Sequence, residues 1–132
     1  MKKMIYIAGK WKDRETIKQM AKELEERGHD IVCKWYNDEQ LPYNKFYTSP
    51  EVKRRFIRDF QACDDCHVFI LYMGNGENVV GAYVELGITY CLDYQYRRKR
   101  ILAIGKQKYS VPLYAIEKWY DNLEELIKWE NL

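Results

Sequence analysis

The segment Gly81-Ala-Tyr-Val-Glu85-Leu-Gly87 carries the acid best placed for chemistry. Glu85 falls in the first turn or two of a segment with helical spacing, so its carboxylate can project into a crevice at a sheet edge rather than into bulk solvent. A helix N-terminus stabilises an anion there, Gly81 leaves room for a substrate over the helix start, and Gly87 permits close approach of helix to sheet. An anion held in a crevice can trap positive charge that develops on a bound molecule. A second feature is the basic loop Lys10, Lys12 and Arg14, beside a forming helix N-terminus, which suits a phosphate. A third, Cys63-Asp-Asp-Cys66-His67, spells a haem-attachment string but sits at a helix end running into an apolar strand. A redox Cys-x-x-Cys belongs instead at a helix start. With Cys33 and Cys91 the four cysteines lack the spacing of a zinc site and read as reduced thiols, so no metal and no cofactor is expected.

The elements that position these residues alternate along the chain. Met4 to Ala8 is an apolar strand ending in Gly9. Asp13 caps a helix with Ile17, Met20, Ala21 and Leu24 at i, i+3, i+4, i+7 spacing, closed by Gly28. His29 to Tyr36 reads as a second strand and Asn37 to Thr48 as a loop. Ser49-Pro50-Glu51 starts a helix by a capping hydroxyl, a proline at the first helical position and an acid at the positive dipole end. That helix runs to about Ala62, with Val52, Phe56, Phe60 and Cys63 as its apolar stripe. His67 to Met73 has no alternation, as in a parallel strand buried on both faces. Val80 to about Tyr94 forms a third helix with Val84, Ile88, Cys91 and Leu92 on one stripe. Ile101 to Ile104 is a fourth strand, Leu113 to Lys118 a weak fifth, and Asp121-Asn-Leu-Glu124 a capping box before a last helix facing inward through Leu123, Leu126 and Ile127.

This alternation means right-handed βαβ units in a three-layer, flavodoxin/Rossmann-like α/β domain, a parallel sheet of order 2-1-3-4-5 with helices on both faces. Ligands bind at the carboxyl ends of such strands, at the switch between strands 1 and 3. Two loops meet there: one with Gly9, Lys10 and Trp11, the other running from Gly74 through Asn78 to Gly81.

Composition narrows the function classes. The 132 residues, with 47% hydrophobic and only three prolines and seven glycines, suit one domain over 1–132 rather than a disordered chain. No apolar run is long enough for a bilayer, and the N-terminal one is too short for a secretory signal, so a cytoplasmic protein with no membrane partner is expected. A net charge of +2 requires no polyanion. Arg97 to Arg100 reads as the solvated cap of a helix end, so a nucleic-acid partner is not expected. The aromatic set Trp11, Trp35, Tyr36, Tyr43, Phe46 and Tyr47 exceeds what a small core needs, and suits base stacking or a subunit contact.

Ile5-Tyr6-Ile7-Ala8-Gly9, Arg58-Asp59 with Cys63-Asp64-Asp65 before a buried strand, and Gly81-Ala-Tyr-Val-Glu85-Leu-Gly87 together resemble the nucleoside 2-deoxyribosyltransferase family, over roughly residues 4 to 105. Its members break and remake the N-glycosidic bond of deoxynucleosides, or hydrolyse that bond in deoxynucleoside 5′-monophosphates. The resemblance implies that Glu85 is the nucleophile, that Asp59 assists the leaving base, that Tyr6 orients the Glu85 carboxylate, and that Asp65 matches a recurrent position before the buried strand. It also implies a homodimer or larger homo-oligomer acting on a small nucleoside or nucleotide. Six positions before the nucleophile, where the transferases carry an acid and the hydrolases a serine, stands Val79. Transfer and hydrolysis both remain open. Two alternatives are a TIR-like NAD-cleaving enzyme and a catalytically inactive nucleotide-sensing module of the same fold.

Overall fold

A computed structural model describes residues 1–41, 49–74 and 79–132. Five parallel strands, β1 (Met4–Ala8), β2 (Asp30–Ile31), β3 (Val68–Gly74), β4 (Arg100–Gly105) and β5 (Lys118–Tyr120), form one sheet in the order β2-β1-β3-β4-β5. The helices are α1 (Arg14–Glu26), α2 (Pro50–Asp65), α3 (Val80–Tyr96) and α4 (Leu123–Glu130). Right-handed crossovers put α1 on one face and α2 and α3 on the other. α4 joins the α1 face, where Leu123 borders the same shallow depression as Thr16, Met20 and Glu23.

β3 is the centre of the sheet, paired with β1 through Ile5↔Val68 to Ala8↔Leu71 and with β4 along its length. Val68, Phe69, Ile70, Leu71 and Met73 are buried, as a strand covered on both faces demands. α1 buries the four residues its spacing selects, Ile17, Met20, Ala21 and Leu24. Asp13 stands at its N-cap position but accepts no capping hydrogen bond, because a 3-10 turn at Trp11–Asp13 leads the chain in. Ser49 does cap α2, accepting from the Glu51 amide at 3.2 Å, and Asn122 caps α4, accepting from the Glu125 amide at 2.9 Å.

The structure corrects four sequence expectations. The second strand is two residues long, extended by the Val32 amide donating to Ile5 O at 3.0 Å, and the chain then turns inward. Trp35 indole N–H donates to Ile7 O at 2.7 Å, drawing Trp35 and Tyr36 into the core as a 3-10 turn. The last strand is Lys118–Tyr120, with Leu113 in a preceding 3-10 segment (Val111–Ala115). α2 continues to Asp65 and buries Ala62 and Cys63, while Phe56 and Phe60 face out. α3 buries Ala82, Leu86 and Thr89, one turn-face away from the expected stripe, and exposes Val84 and Cys91.

Candidate active site

Gly9, Lys10, Trp11, Val79, Gly81, Ala82 and Glu85 line a concavity of about 270 Å³ at the carboxyl end of β1, where the chain's direction across the sheet reverses. The two loops that the sequence brings to this switch point therefore do meet. Gly9 is required by packing: a Cβ there meets Ile17 Cδ1 at 2.5 Å and Tyr72 O at 3.3 Å. That absence of a side chain lets the loop lie close against Ile17 and Tyr72.

Glu85 lies in the second turn of α3, half-buried, and Tyr6 lies wholly buried in β1. The Tyr6 hydroxyl donates to Glu85 Oε2. Side chains alternate along a strand, so Tyr6 points to the α3 face while its neighbours Ile5 and Ile7 pack on the other. The Glu85 backbone is fixed as well: Thr89 hydroxyl donates to its carbonyl at 2.8 Å, and Cys63 Sγ approaches the same oxygen at 3.7 Å. The helix dipole was expected to favour the anion. Burial outweighs it, and desolvation pushes the Glu85 carboxyl up to about 8.

Trp11 forms the crevice's aromatic wall. Its ring lies 6.4 Å from that of Trp35 and carries the Arg14 guanidinium 4.9 Å from its centroid. Of the wider aromatic set, Trp35 and Tyr36 are core residues, and Tyr43, Phe46 and Tyr47 lie outside the described residues. Asn78 also lies outside them. Gly74 closes β3 in a left-handed conformation, φ +57°.

Two other candidate residues are engaged by partners other than Glu85. Asp59, on α2, accepts through Oδ1 from Arg58 Nη2 at 2.9 Å, Arg58 Nε at 3.1 Å and Cys33 Sγ at 3.4 Å, rather than from Tyr6. Arg58 also grips Asp38 with two hydrogen bonds of 2.7 and 2.8 Å. This Asp38–Arg58–Asp59 chain escaped the sequence reading; its parts are separated by the 42–48 stretch and carry no spacing signal. Asp65 is exposed in the last turn of α2, where it accepts from Gln61 at 3.1 Å. Because it precedes β3, it stands at the amino edge of the sheet, away from the crevice.

Two residues of the crevice were not singled out as contacts by sequence, Val79 and Ala82, and both are buried apolar walls beside Glu85. A larger depression of about 720 Å³ lies along residues 107–119. Its carboxylate, Glu117, is engaged by the Ile101 amide at 2.7 Å, which leaves the smaller crevice as the better-equipped site. The cysteines are free thiols, and burial pushes Cys33 and Cys66 up to about 12, far from reactive thiolates. Among the described residues no helix is long and apolar enough to cross a membrane.

No family model matches the chain, and no curated protein matches it. Solved structures do. A 2-deoxyribosyltransferase from the psychrotolerant bacterium Bacillus psychrosaccharolyticus is similar at 18% identity, over 93% of this chain and 89% of that one, with a TM-score of 0.67. A CMP N-glycosidase from Clostridium botulinum is similar at 18% identity, over 98% of this chain and 100% of that one, with a TM-score of 0.56. At this identity the likeness establishes the fold, a five-stranded parallel Rossmann-like sheet in the order 2-1-3-4-5. Both neighbours are of the kind that the sequence resemblance names.

Proposed function

We propose that this chain is an enzyme that cleaves or transfers at the N-glycosidic bond of a nucleoside or nucleotide, with Glu85 as nucleophile. The observation that carries the reading is the Tyr6–Glu85 pair, a carboxylate aimed into a switch-point crevice with a tyrosine hydroxyl and no cation at hydrogen-bond distance among the described residues. The folds of a deoxyribosyltransferase and a CMP N-glycosidase support it.

The chemistry follows from the arrangement. As the bond from C1′ to the base nitrogen breaks, its electron pair leaves with the base and positive charge grows on the sugar. The Glu85 carboxylate attacks C1′ from the opposite side and forms a glycosyl ester, as retaining glycosidases do. The departing base takes its proton from solvent water, leaving hydroxide, and the proton that water or the second base gives up when the ester is resolved balances it. Water or a second base then attacks C1′ and releases Glu85. Tyr6 holds Oε2, leaving Oε1 to attack, and Trp11 offers a flat wall for a base. Lys10 stands at the crevice as a cation for the substrate's polar end. Asp59, tied to Arg58 and Cys33, is assigned to assisting the base.

A second reading, a nucleotide-sensing module without turnover, draws on Val79, since an apolar wall stands where the resembled enzymes carry a polar residue. One experiment separates the two. Free base released from nucleosides and nucleoside 5′-monophosphates, with and without a second base, is followed for wild type and Glu85→Gln. Release that depends on Glu85 upholds the enzyme reading, and exchange distinguishes transfer from hydrolysis. Tight nucleotide binding with no release in wild type overturns it in favour of sensing.

A further inference from the structure

β1, β3 and β4 are parallel neighbours, so the residues that lead into them gather at one edge of the sheet, the amino edge, opposite the Glu85 crevice. Lys2 and Lys3 precede β1, His67 precedes β3, and Arg97 to Lys99 precede β4, which opens with Arg100. Together they line a concavity of about 540 Å³. We propose that it is a binding site for a small ligand carrying a chain of phosphates, separate from the crevice.

Charge is the first support. Six cationic side chains and one carboxylate, Glu130, line the concavity, whereas the whole chain carries a net charge of only +2. Positive charge is therefore concentrated here, and the rest of the chain is net acidic. A recess walled by one sign of charge focuses the field and raises the local concentration of anions.

Second, these cations are not all spent within the chain. Lys2 pairs with Asp30 at 2.9 Å, Lys99 Nζ donates to the carbonyls of Asp64 and Cys66, and Arg100 donates to Glu130 at 2.8 Å. Among the described residues no carboxylate pairs with Lys3, Arg97 or Arg98. The two arginines lie instead over rings of α3, Arg97 at 5.3 Å from the centroid of Tyr94 and Arg98 at 5.0 Å from that of Tyr96. A guanidinium stacked by its face keeps its N–H edge for a phosphate oxygen. His67 adds a neutral donor: its Nδ1 accepts from the Met4 amide at 3.1 Å, which places the proton of the neutral ring on Nε2. The neighbouring acids are engaged elsewhere, Asp93 by the Lys99 amide at 2.8 Å and Asp65 by Gln61 at 3.1 Å. Three unpaired cations and an imidazole donor match a chain of two or three phosphates better than a single anionic group.

Third, the backbone sets this arrangement in advance. The His67 amide donates to Met4 O at 2.7 Å, and the His67 carbonyl accepts from the Arg100 amide at 2.9 Å, which locks the three segments side by side. The sequence reads Arg97 to Arg100 as the cap of α3, but the last turn of α3 holds no basic residue. Arg97 follows it in a left-handed conformation, φ 53°, at a position where glycine or asparagine is the ordinary choice. That backbone disfavours an arginine, and what the arginine supplies is one of the unpaired cations of the concavity.

The test is calorimetric titration of the full chain with tripolyphosphate, which requires no turnover. Binding is expected at one site per chain, with an affinity that falls as salt is raised. Arg97→Gly removes the guanidinium and relieves the left-handed backbone, so it should hold or raise the thermal midpoint while weakening binding by about fivefold. A residue that served only the fold would not split those two readouts. Arg98→Gln should weaken binding by a similar factor, and the two substitutions together by about twentyfold. Lys10→Gln, at the crevice, should leave the tripolyphosphate affinity unchanged. A nucleoside triphosphate that displaces tripolyphosphate and binds more tightly identifies a nucleotide as the ligand, and one that displaces it no better identifies the phosphate chain alone. The proposal is overturned by an absence of binding at low salt, or by binding that Lys10→Gln abolishes and the arginine variants retain. A single-stranded oligonucleotide that displaces tripolyphosphate at a lower phosphate concentration also overturns it, in favour of a nucleic-acid surface.

Discussion

Two glutamates of this chain each take a hydrogen bond from a tyrosine, and they stand at opposite edges of the sheet. At the amino edge Tyr120 donates to Glu130, and Arg100 adds two further hydrogen bonds of 2.8 and 3.1 Å. Arg100 holds the Glu130 carboxyl below its ordinary range. Near the carboxyl edge Tyr6 donates to Glu85, no guanidinium joins them among the described residues, and burial lifts the carboxyl to about 8. The same residue pair is thus finished with an arginine in one place and without one in the other, among the described residues. What differs is a cation. A carboxylate saturated by arginine has little basicity left for bond making, whereas one that is desolvated and unneutralised is a stronger nucleophile once ionised.

The sharpest way to break this comparison is to neutralise each acid. Glu85→Gln keeps the size and one hydrogen-bond acceptor, and on the proposed mechanism is expected to lower base release by on the order of 10³-fold or more, since the group proposed to form the ester is gone. Glu130→Gln is expected to leave turnover within about threefold, because nothing at the amino edge reaches the crevice. Equal losses in the two variants, measured by base release at saturating substrate, would mean that the reaction does not pass through Glu85.

Tyr6→Phe comes next. A hydrogen bond to a charged group contributes about 1.5–3 kcal/mol, so kcat is expected to fall roughly 10- to 100-fold with a smaller change in KM. The hydroxyl favours the ionised carboxylate, and its removal should move the midpoint of the kcat/KM pH profile to more alkaline values. In wild type that profile rises through about pH 8 as Glu85 ionises. A loss of rate with an unmoved midpoint would leave Tyr6 a packing residue.

These assignments were legible in the sequence to different depths. The crevice that Glu85 lines could be placed because strand order follows from the alternation of strands and helices, and order fixes where the switch point lies. Asp65 was drawn toward the site by its motif, although a residue that precedes a strand stands at the sheet's amino edge. The faces of α2 and α3 were misread for a physical reason. Periodicity assigns the largest apolar side chains inward, but where two helices and a sheet pack closely the contact is made by Ala62, Cys63, Ala82 and Thr89, and the large residues are left outside. The short β2 and inturned Trp35 depend on a tertiary hydrogen bond, Trp35 to Ile7 O, that no local pattern encodes.

Stability against pH separates the two glutamates by sign. The folded state holds the Glu85 proton more tightly than the unfolded chain, whose value is near 4.5, so this stabilising contribution is complete below about pH 4.5 and is lost as pH rises through about 8. Glu85→Gln should therefore gain on wild type between pH 5 and 9, by at least about 1 kcal/mol, in urea melts at each pH. Glu130 has the opposite sign. Its lowered carboxyl adds stability above its unfolded value and loses it as pH falls through the folded one.

The smallest expected effect sharpens the comparison from the other side, by taking the cation away from Glu130. Arg100→Met retains the buried stem of the side chain and removes both hydrogen bonds to Glu130. Arg100 is 44% exposed, so water screens the pair and the loss at pH 7 should be only about 0.5–1 kcal/mol. The more telling readout is the Glu130 titration, followed by NMR of its side-chain carboxyl carbon. With Tyr120 as its remaining donor, Glu130 becomes the counterpart of Glu85, and its midpoint should climb from below the ordinary carboxylate range. It should stop short of about 8, because Glu130 is less desolvated than Glu85. A midpoint that stays low without Arg100 would assign the contrast to the tyrosines rather than to the cation.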